Sequence, residues 1–314
     1  MMRIVLLLAA LLACALAGGD YAVSLAVVIG LQALPALGLT LLTGYTGQIS
    51  LGHAAFYGLG AYGAALLGRT LGVSALPGIL LASLLVGAIA WAIGWLVFRL
   101  RGHHLAMATL AFGIIVQIGF VEMHGLTGGP NGLSGIAPLS ILGKDLITDA
   151  QVLPVVWAAL ILALLVAQNL IASPAGLVMR AIAEGDRVVG SLGNDVAAMK
   201  RKVMMLSGFL CAIGGGLYAH YVGYLSPGPF DVGFSVRLLL MVALGGFANV
   251  WGVLFGVAFV TLVGEALKPL GAFDVIAYGV LLVVSVIYFP QGLLAGIAAP
   301  IVAQARRFRK VVAR

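Results

Sequence analysis

Apolar stretches of about twenty residues recur along the chain, each the length a helix needs to cross the hydrocarbon core of a bilayer. They cover 21–42, the glycine-rich 44–67, 77–98, 104–123, 152–171, 203–224 and 273–289. A shorter run, 4–17, follows Arg3 and reads as a signal peptide or a signal anchor. Within it Leu11, Leu12, Ala13 and Cys14 approximate a lipoprotein cleavage box, although a polytopic bundle needs no lipid anchor. The run 236–268 is too long for one straight span and too short for two, and Gly245, Gly246 and Asn249 interrupt it. It predicts a half-length arm to Leu244, a glycine turn and a return arm over 251–267, a partly re-entrant hairpin buried by its neighbours. The pattern as a whole predicts an all-α polytopic membrane protein of about ten membrane elements, in one transmembrane domain over 1–314.

The segments 39–63 and 240–260 echo one another, each passing from apolar residues through glycine, aromatic and polar positions to a glycine-spaced helix. Two weakly repeated halves with broken elements at matching places point to a translocation site near the breaks.

One polar island stands out, 172–202, which holds Arg180, Glu184, Asp186, Arg187, Asp195, Lys200, Arg201 and Lys202. So polar a segment belongs in water or against another protein, since unsatisfied polar groups in hydrocarbon cost several kcal/mol each. Asp186 suits the N-cap of a short helix whose Val188 and Leu192 share a face, Gly193 suits the position that ends it, and Asp195 suits the cap of the next helix. An amphipathic helix at that place either docks in a partner's groove or folds back on its own bundle, and the island alone leaves both open.

With 62% hydrophobic residues, 9% charged residues and a mean hydropathy of +1.17, a soluble core is excluded. The net charge of +7 follows from orientation, because lysine and arginine near span ends collect on the cytoplasmic side. An N-terminus inside, with no net crossing by 236–268, places Arg3, Arg99, Arg101, the basic residues of the island and those of the tail 301–314 in the cytoplasm. Arg69, Lys144, Arg237 and Lys268 then lie outside, as does the loop 124–150; both termini are cytoplasmic, and nucleic-acid binding is unnecessary to explain the charge. The two cysteines, Cys14 and Cys211, exclude a disulfide framework or a thiolate metal site within the chain.

Candidate chemistry is sparse. Gln48, Ser50 and His53 stand where an ordinary span has leucine, so they face the bundle interior and either line a polar path or bond backbone freed by neighbouring glycines. For His53 alone the second reading is preferred. In the outer loop, Gly128, Gly129, Asn131 and Gly132 make a run of tight turns whose amides either receive a carboxylate or a partner's side chain, or only turn the chain. His103 and His104 sit at an interface beside Arg99 and Arg101. No phosphate-binding loop, HExxH, GxSxG or intramembrane relay of acids and histidines is present, which speaks against an enzyme.

The stretches GYTGQISLGHAAFYGLGAY (44–62), RGHHLAMATLAFG (101–113), LTGGPNGLSGI (126–136), RAIAEGDRVVGSLGNDVAAMK (180–200) and YFPQGLLAGI (288–297) resemble the LivM-type permeases of branched-chain amino acid ABC importers. The resemblance implies a multi-pass subunit of a bacterial inner membrane that pairs with a LivH-like permease. It implies LivG- and LivF-like ATPases that bind the ATP, no cofactor in this chain, and a periplasmic substrate-binding protein. It makes the island a coupling loop in which Glu184, Asp186, Val188, Leu192, Gly193 and Asp195 meet an ATPase, and it places the path near Gln48, Ser50, His53 and Asn249. The implied cargo is leucine, isoleucine or valine, while relatives also carry urea, amides or aromatic acids. Asn194 and the pair His103 and His104 depart from the usual pattern. A self-sufficient secondary carrier shares the broken repeat and polar interior but lacks relay residues and leaves the island unexplained.

Overall fold

The computed structural model describes residues 19–100, 102–141 and 144–267, with isolated positions between 276 and 284. The first run with Cys14, Arg101, most of the expected last span 273–289 and the tail 301–314 lie outside the described residues.

Eleven helices follow in order among the described residues: α1 Asp20–Leu39, α2 His53–Leu71, α3 Ala75–Val97, α4 His103–Glu122, the short α5 His124–Thr127, α6 Asp149–Ala172, α7 Pro174–Glu184, α8 Asp186–Ser191, α9 Val196–Val222, α10 Val232–Gly245 and α11 Gly252–Leu267. Five are long and apolar enough to cross a membrane: α1 with its extension to Gly44, α3, α4, α6 and α9. The expected second span is less regular than its composition suggests. A π-helical turn, Thr40–Gly44, extends α1 to its start, an irregular stretch covers 47–52, and α2 follows. About ten membrane elements were expected; the described residues hold these five, α2 of 19 residues, and two shorter apolar helices.

Helices α1 and α9 form the centre. Most of each is buried, and α9 packs on α1, α2 and α3 while α1 also meets α6, α10 and α11. The reason is the small residues of α9: a Cβ on Gly215 would run into the Tyr57 carbonyl of α2, and one on Gly208 would come within 2.5 Å of Ala90 Cβ of α3. Backbones approach closely where nothing bulky stands between them, and dispersion contacts rather than a hydrophobic force hold helices together in lipid. By contrast α3, α4 and α6 keep outer faces of exposed leucine, isoleucine and tryptophan, the composition of a lipid-facing surface. At one end of α3 the Arg99 guanidinium lies 4.1 Å from the centroid of Trp95, and Arg201 lies 5.8 Å from that of Trp91, the aromatic and cationic edge of a membrane interface.

The expected hairpin is present as α10 and α11, of 14 and 16 residues, joined at 246–251 and packed face to face through Gly245, Gly252 and Gly256. Each arm is shorter than the roughly 20 residues of a full crossing. The loop 124–150, for which the sequence predicts a run of tight turns, also contains β2 Leu139–Ile141 paired antiparallel with β3 Lys144–Leu146. Its β1 Leu133–Ser134 pairs with β4 Tyr224–Leu225 just beyond α9. The departure from all-α is confined to these four short strands among the described residues.

Because Gly215 has no room for a side chain, Gly215→Val is expected to lower stability by about 1–3 kcal/mol or more. Its melting temperature in detergent, compared with that of a substitution at lipid-facing Ile115, checks this.

Candidate functional site

The break after α1 carries backbone groups without helical partners, and side chains from two other elements and from the break itself supply what is missing. Thr109 Oγ1 of α4 accepts from Leu51 N at 3.0 Å, Ser235 Oγ of α10 accepts from Ala54 N at 3.0 Å, and Thr43 Oγ1 donates to Gln48 O at 3.1 Å. His53 is fully buried, with Nδ1 3.1 Å from Ser50 Oγ and Nε2 2.7 Å from Ser207 Oγ of α9. Ser50 and His53 therefore cross-brace the break to α9 and have no surface toward a path. Gln48 is part-exposed, its Nε2 donating to Thr46 O at 2.8 Å. Asn249 is exposed at the hairpin turn, where its Oδ1 accepts from Trp251 N at 3.2 Å and Gly252 N at 3.0 Å and so starts α11.

The two breaks meet. Tyr45 Oη donates to Ala248 O at 2.8 Å, and Gly44 lies so close to the Phe247 carbonyl that no side chain fits there. On its other side the first break meets the island, since Gly47, with φ of +69°, lies against Ala183. A small cavity of about 130 Å³ is lined by Gln48, Ile49, Leu105, Asp186 and Lys200. Hairpin turn, first break and island thus form one continuous contact.

The island contains a helix that its charge conceals. Helix α7 starts at Pro174, the favoured N1 position after Ser173, and buries Gly176, Met179 and Ile182 on one face. That spacing was the available signal. Helix α8 follows without the expected cap: its N-cap is Gly185, and Asp186 sits one position inside, where its carboxylate pairs with Lys200 Nζ at 2.6 Å. The Lys200 side chain is only 7% exposed, so the pair fastens α8 to α9. The other two expectations for the island match the observed positions. Gly193 takes a φ of +84° just past α8, and Asp195 Oδ1 accepts from Ala198 N at 2.9 Å to cap α9. Val189 is buried, while Val188 is 67% and Leu192 75% exposed. Glu184 is exposed at the end of α7.

In the loop 124–150 the glycine amides serve the loop itself. Gly128 N donates to His124 O, Gly129 N to Thr127 Oγ1 and Gly132 N to Gly129 O. Asn131 O accepts from Tyr224 Oη at 2.8 Å, which ties the turn to the end of α9. Among the described residues no three of His, Cys, Asp and Glu gather as a metal site.

The family described as branched-chain amino acid transport system, permease component, matches residues 21–289. The high-affinity branched-chain amino acid transport system permease protein LivM of Escherichia coli K12 is 29% identical over 281 residues, covering 82% of this chain and 66% of that protein. The protein of the same description from Salmonella typhimurium gives the same identity and coverage. A probable branched-chain amino acid transport permease protein LivM of Methanocaldococcus jannaschii is 29% identical over 157 residues, covering 44% of this chain and 45% of that protein. The chain thus spans about 66% of the length of the two bacterial relatives. No solved structure matches it significantly. A match that runs through both breaks, the island and the hairpin shows that the chain belongs to the permease-component family of branched-chain amino acid transport systems.

Proposed function

We propose that this chain is a permease subunit of an ABC-type importer of branched-chain amino acids in a bacterial inner membrane. It forms the path together with a second, LivH-like permease, takes substrate from a periplasmic binding protein, and is driven by LivG- and LivF-like ATPases that bind the nucleotide. The observation that carries this reading is α8. It is a six-residue helix whose Val188, with Leu192 just past its end, stands exposed while Asp186 and Lys200 hold it to α9. A helix folded back onto its own bundle would bury that face; one awaiting a partner's groove presents it. Family membership supports the same assignment, and the relatives' description supports the cargo. On this reading the island is cytoplasmic, the turns at Gly128, Gly129, Asn131 and Gly132 face the binding protein, and the α10–α11 hairpin is re-entrant. The path runs past Gln48 and Asn249, which flank the paired breaks, and transport proceeds by alternating access as the ATPases close and pull on α8.

Leu192→Arg puts a charge at the centre of the docking face and is expected to weaken ATPase binding by more than about tenfold, as loss of an interface hot spot does. Co-purification from native membranes checks this, and unchanged ATPase recovery with an intact bundle would overturn the docking role of α8. Gln48→Leu is expected to slow leucine uptake in cells while leaving the complex assembled. Unchanged uptake kinetics would remove Gln48 from the path.

A further inference from the structure

A cavity lies apart from the paired breaks and the island, between α1, α10 and α11. Its volume is about 370 Å³, toward the lower end of the roughly 300–1,000 Å³ of small-molecule sites. Tyr21 and Ser24 on the first turns of α1 line it, and Gln32 lies eleven residues after Tyr21, about 16 Å farther along the helix. There Thr261 Oγ1 hydrogen-bonds to Gln32 Oε1 at 2.9 Å, joining α11 to α1. The start of α1, the start of α10 and the end of α11 share this end of the fold, and the paired breaks lie at the other.

Two charges of opposite sign line the cavity, Arg237 on α10 and Glu265 on α11. A charge carried by a membrane helix is costly and marks a place where something polar is handled. The Arg237 guanidinium lies 5.9 Å from the Phe234 ring centroid and 5.7 Å from that of Tyr278. Such contacts position a guanidinium without supplying the planar pair of acceptors that its fork of N–H donors fits best. Among the described residues the side-chain ion pair within 4.0 Å is Lys200–Asp186, and Arg237 is held by its ring contacts. Glu265 interacts within the protein, and a carboxylate has acceptor sites for more than one donor. The remaining wall is aliphatic: Leu25, Val28, Met241 and Val260.

A cation for a carboxylate, an anion for an ammonium and an aliphatic wall together complement one class of solute. We infer that this cavity is the chain's own site for a zwitterionic aliphatic amino acid on its way through the membrane, with Arg237 binding the carboxylate, Glu265 the ammonium and the α1 wall the side chain. The inference rests on the importer reading and deepens it, since it names a contact for the solute inside the permease. Gln32 and Thr261 act as the floor, and release toward the paired breaks requires α11 to part from α1.

The test uses the full complex in proteoliposomes, with Ser24→Cys introduced in the cavity and a membrane-impermeant thiol reagent added outside. Leucine is expected to slow labelling severalfold, while 3-methylbutylamine, which lacks the carboxylate, and 4-methylpentanoate, which lacks the ammonium, leave it unchanged. Adding Arg237→Gln to the same background is expected to abolish protection and to cut leucine uptake at least about tenfold with assembly intact, and Arg237→Lys to restore part of both. Should the Gln variant fail to assemble, Val28→Trp fills the aliphatic wall and is expected to block uptake and protection alike. Wild-type transport of leucine together with absent protection, or with equal protection by the two analogues, would overturn the cavity assignment alone. A complex that moves no leucine would overturn the importer reading and this inference with it.

Discussion

Everything in this fold depends on pairing the backbone that two broken helices leave exposed inside the bundle. An unmade hydrogen bond there costs several kcal/mol, so a break survives only where other elements complete it. The first break's backbone draws on Thr109 of α4 and Ser235 of α10, its His53 side chain is held by Ser207 of α9, and the hairpin turn receives the Tyr45 hydroxyl on Ala248 O. Four elements are thereby committed to one place. The consequence is that α1, α9 and the hairpin cannot shift independently near the breaks, while farther along a hydrogen bond between Gln32 and Thr261 joins α1 to α11.

How much of this was legible in the sequence depended on whether the controlling interaction was local. The hairpin at 246–251 was visible because glycines interrupt an apolar run, and the cap at Asp195 was visible because capping is decided within three residues. Asp186 was misplaced by one position: its carboxylate answers to Lys200, fourteen residues away and buried, and a charged partner outweighs a cap. His53 shows the same limit. Sequence gave a polar residue in a span, and only the fold shows that Ser207, far along the chain, completes it.

Helix α7 and the cavity were missed for opposite reasons. The charges of the island masked an apolar face at Gly176, Met179 and Ile182 that was present in the sequence. The cavity had no signal in the sequence, where Arg237 counts only as a residue lying outside and Glu265 stands near the end of a short apolar run; their approach to Gln32 is a product of the hairpin folding back along α1.

The arrangement also constrains how movement at the island reaches the rest of the protein. A rigid connection needs an element that does not bend, and α9 runs unbroken for 27 residues, about 40 Å, from beside α8 to the β1–β4 strand pair. The ion pair of Lys200 with Asp186 binds α8 to the near end of that helix, and the contact of Gly47 with Ala183 binds the island to the first break. On the importer reading, a pull on α8 therefore acts on α9 and on the breaks together. Helix α9 is fixed by close glycine contacts to α2 and α3, so it resists. The hairpin turn is held to the first break through Tyr45 and Gly44, so movement of the break carries the turn with it, and through the turn the arms α10 and α11, which wall the cavity together with α1.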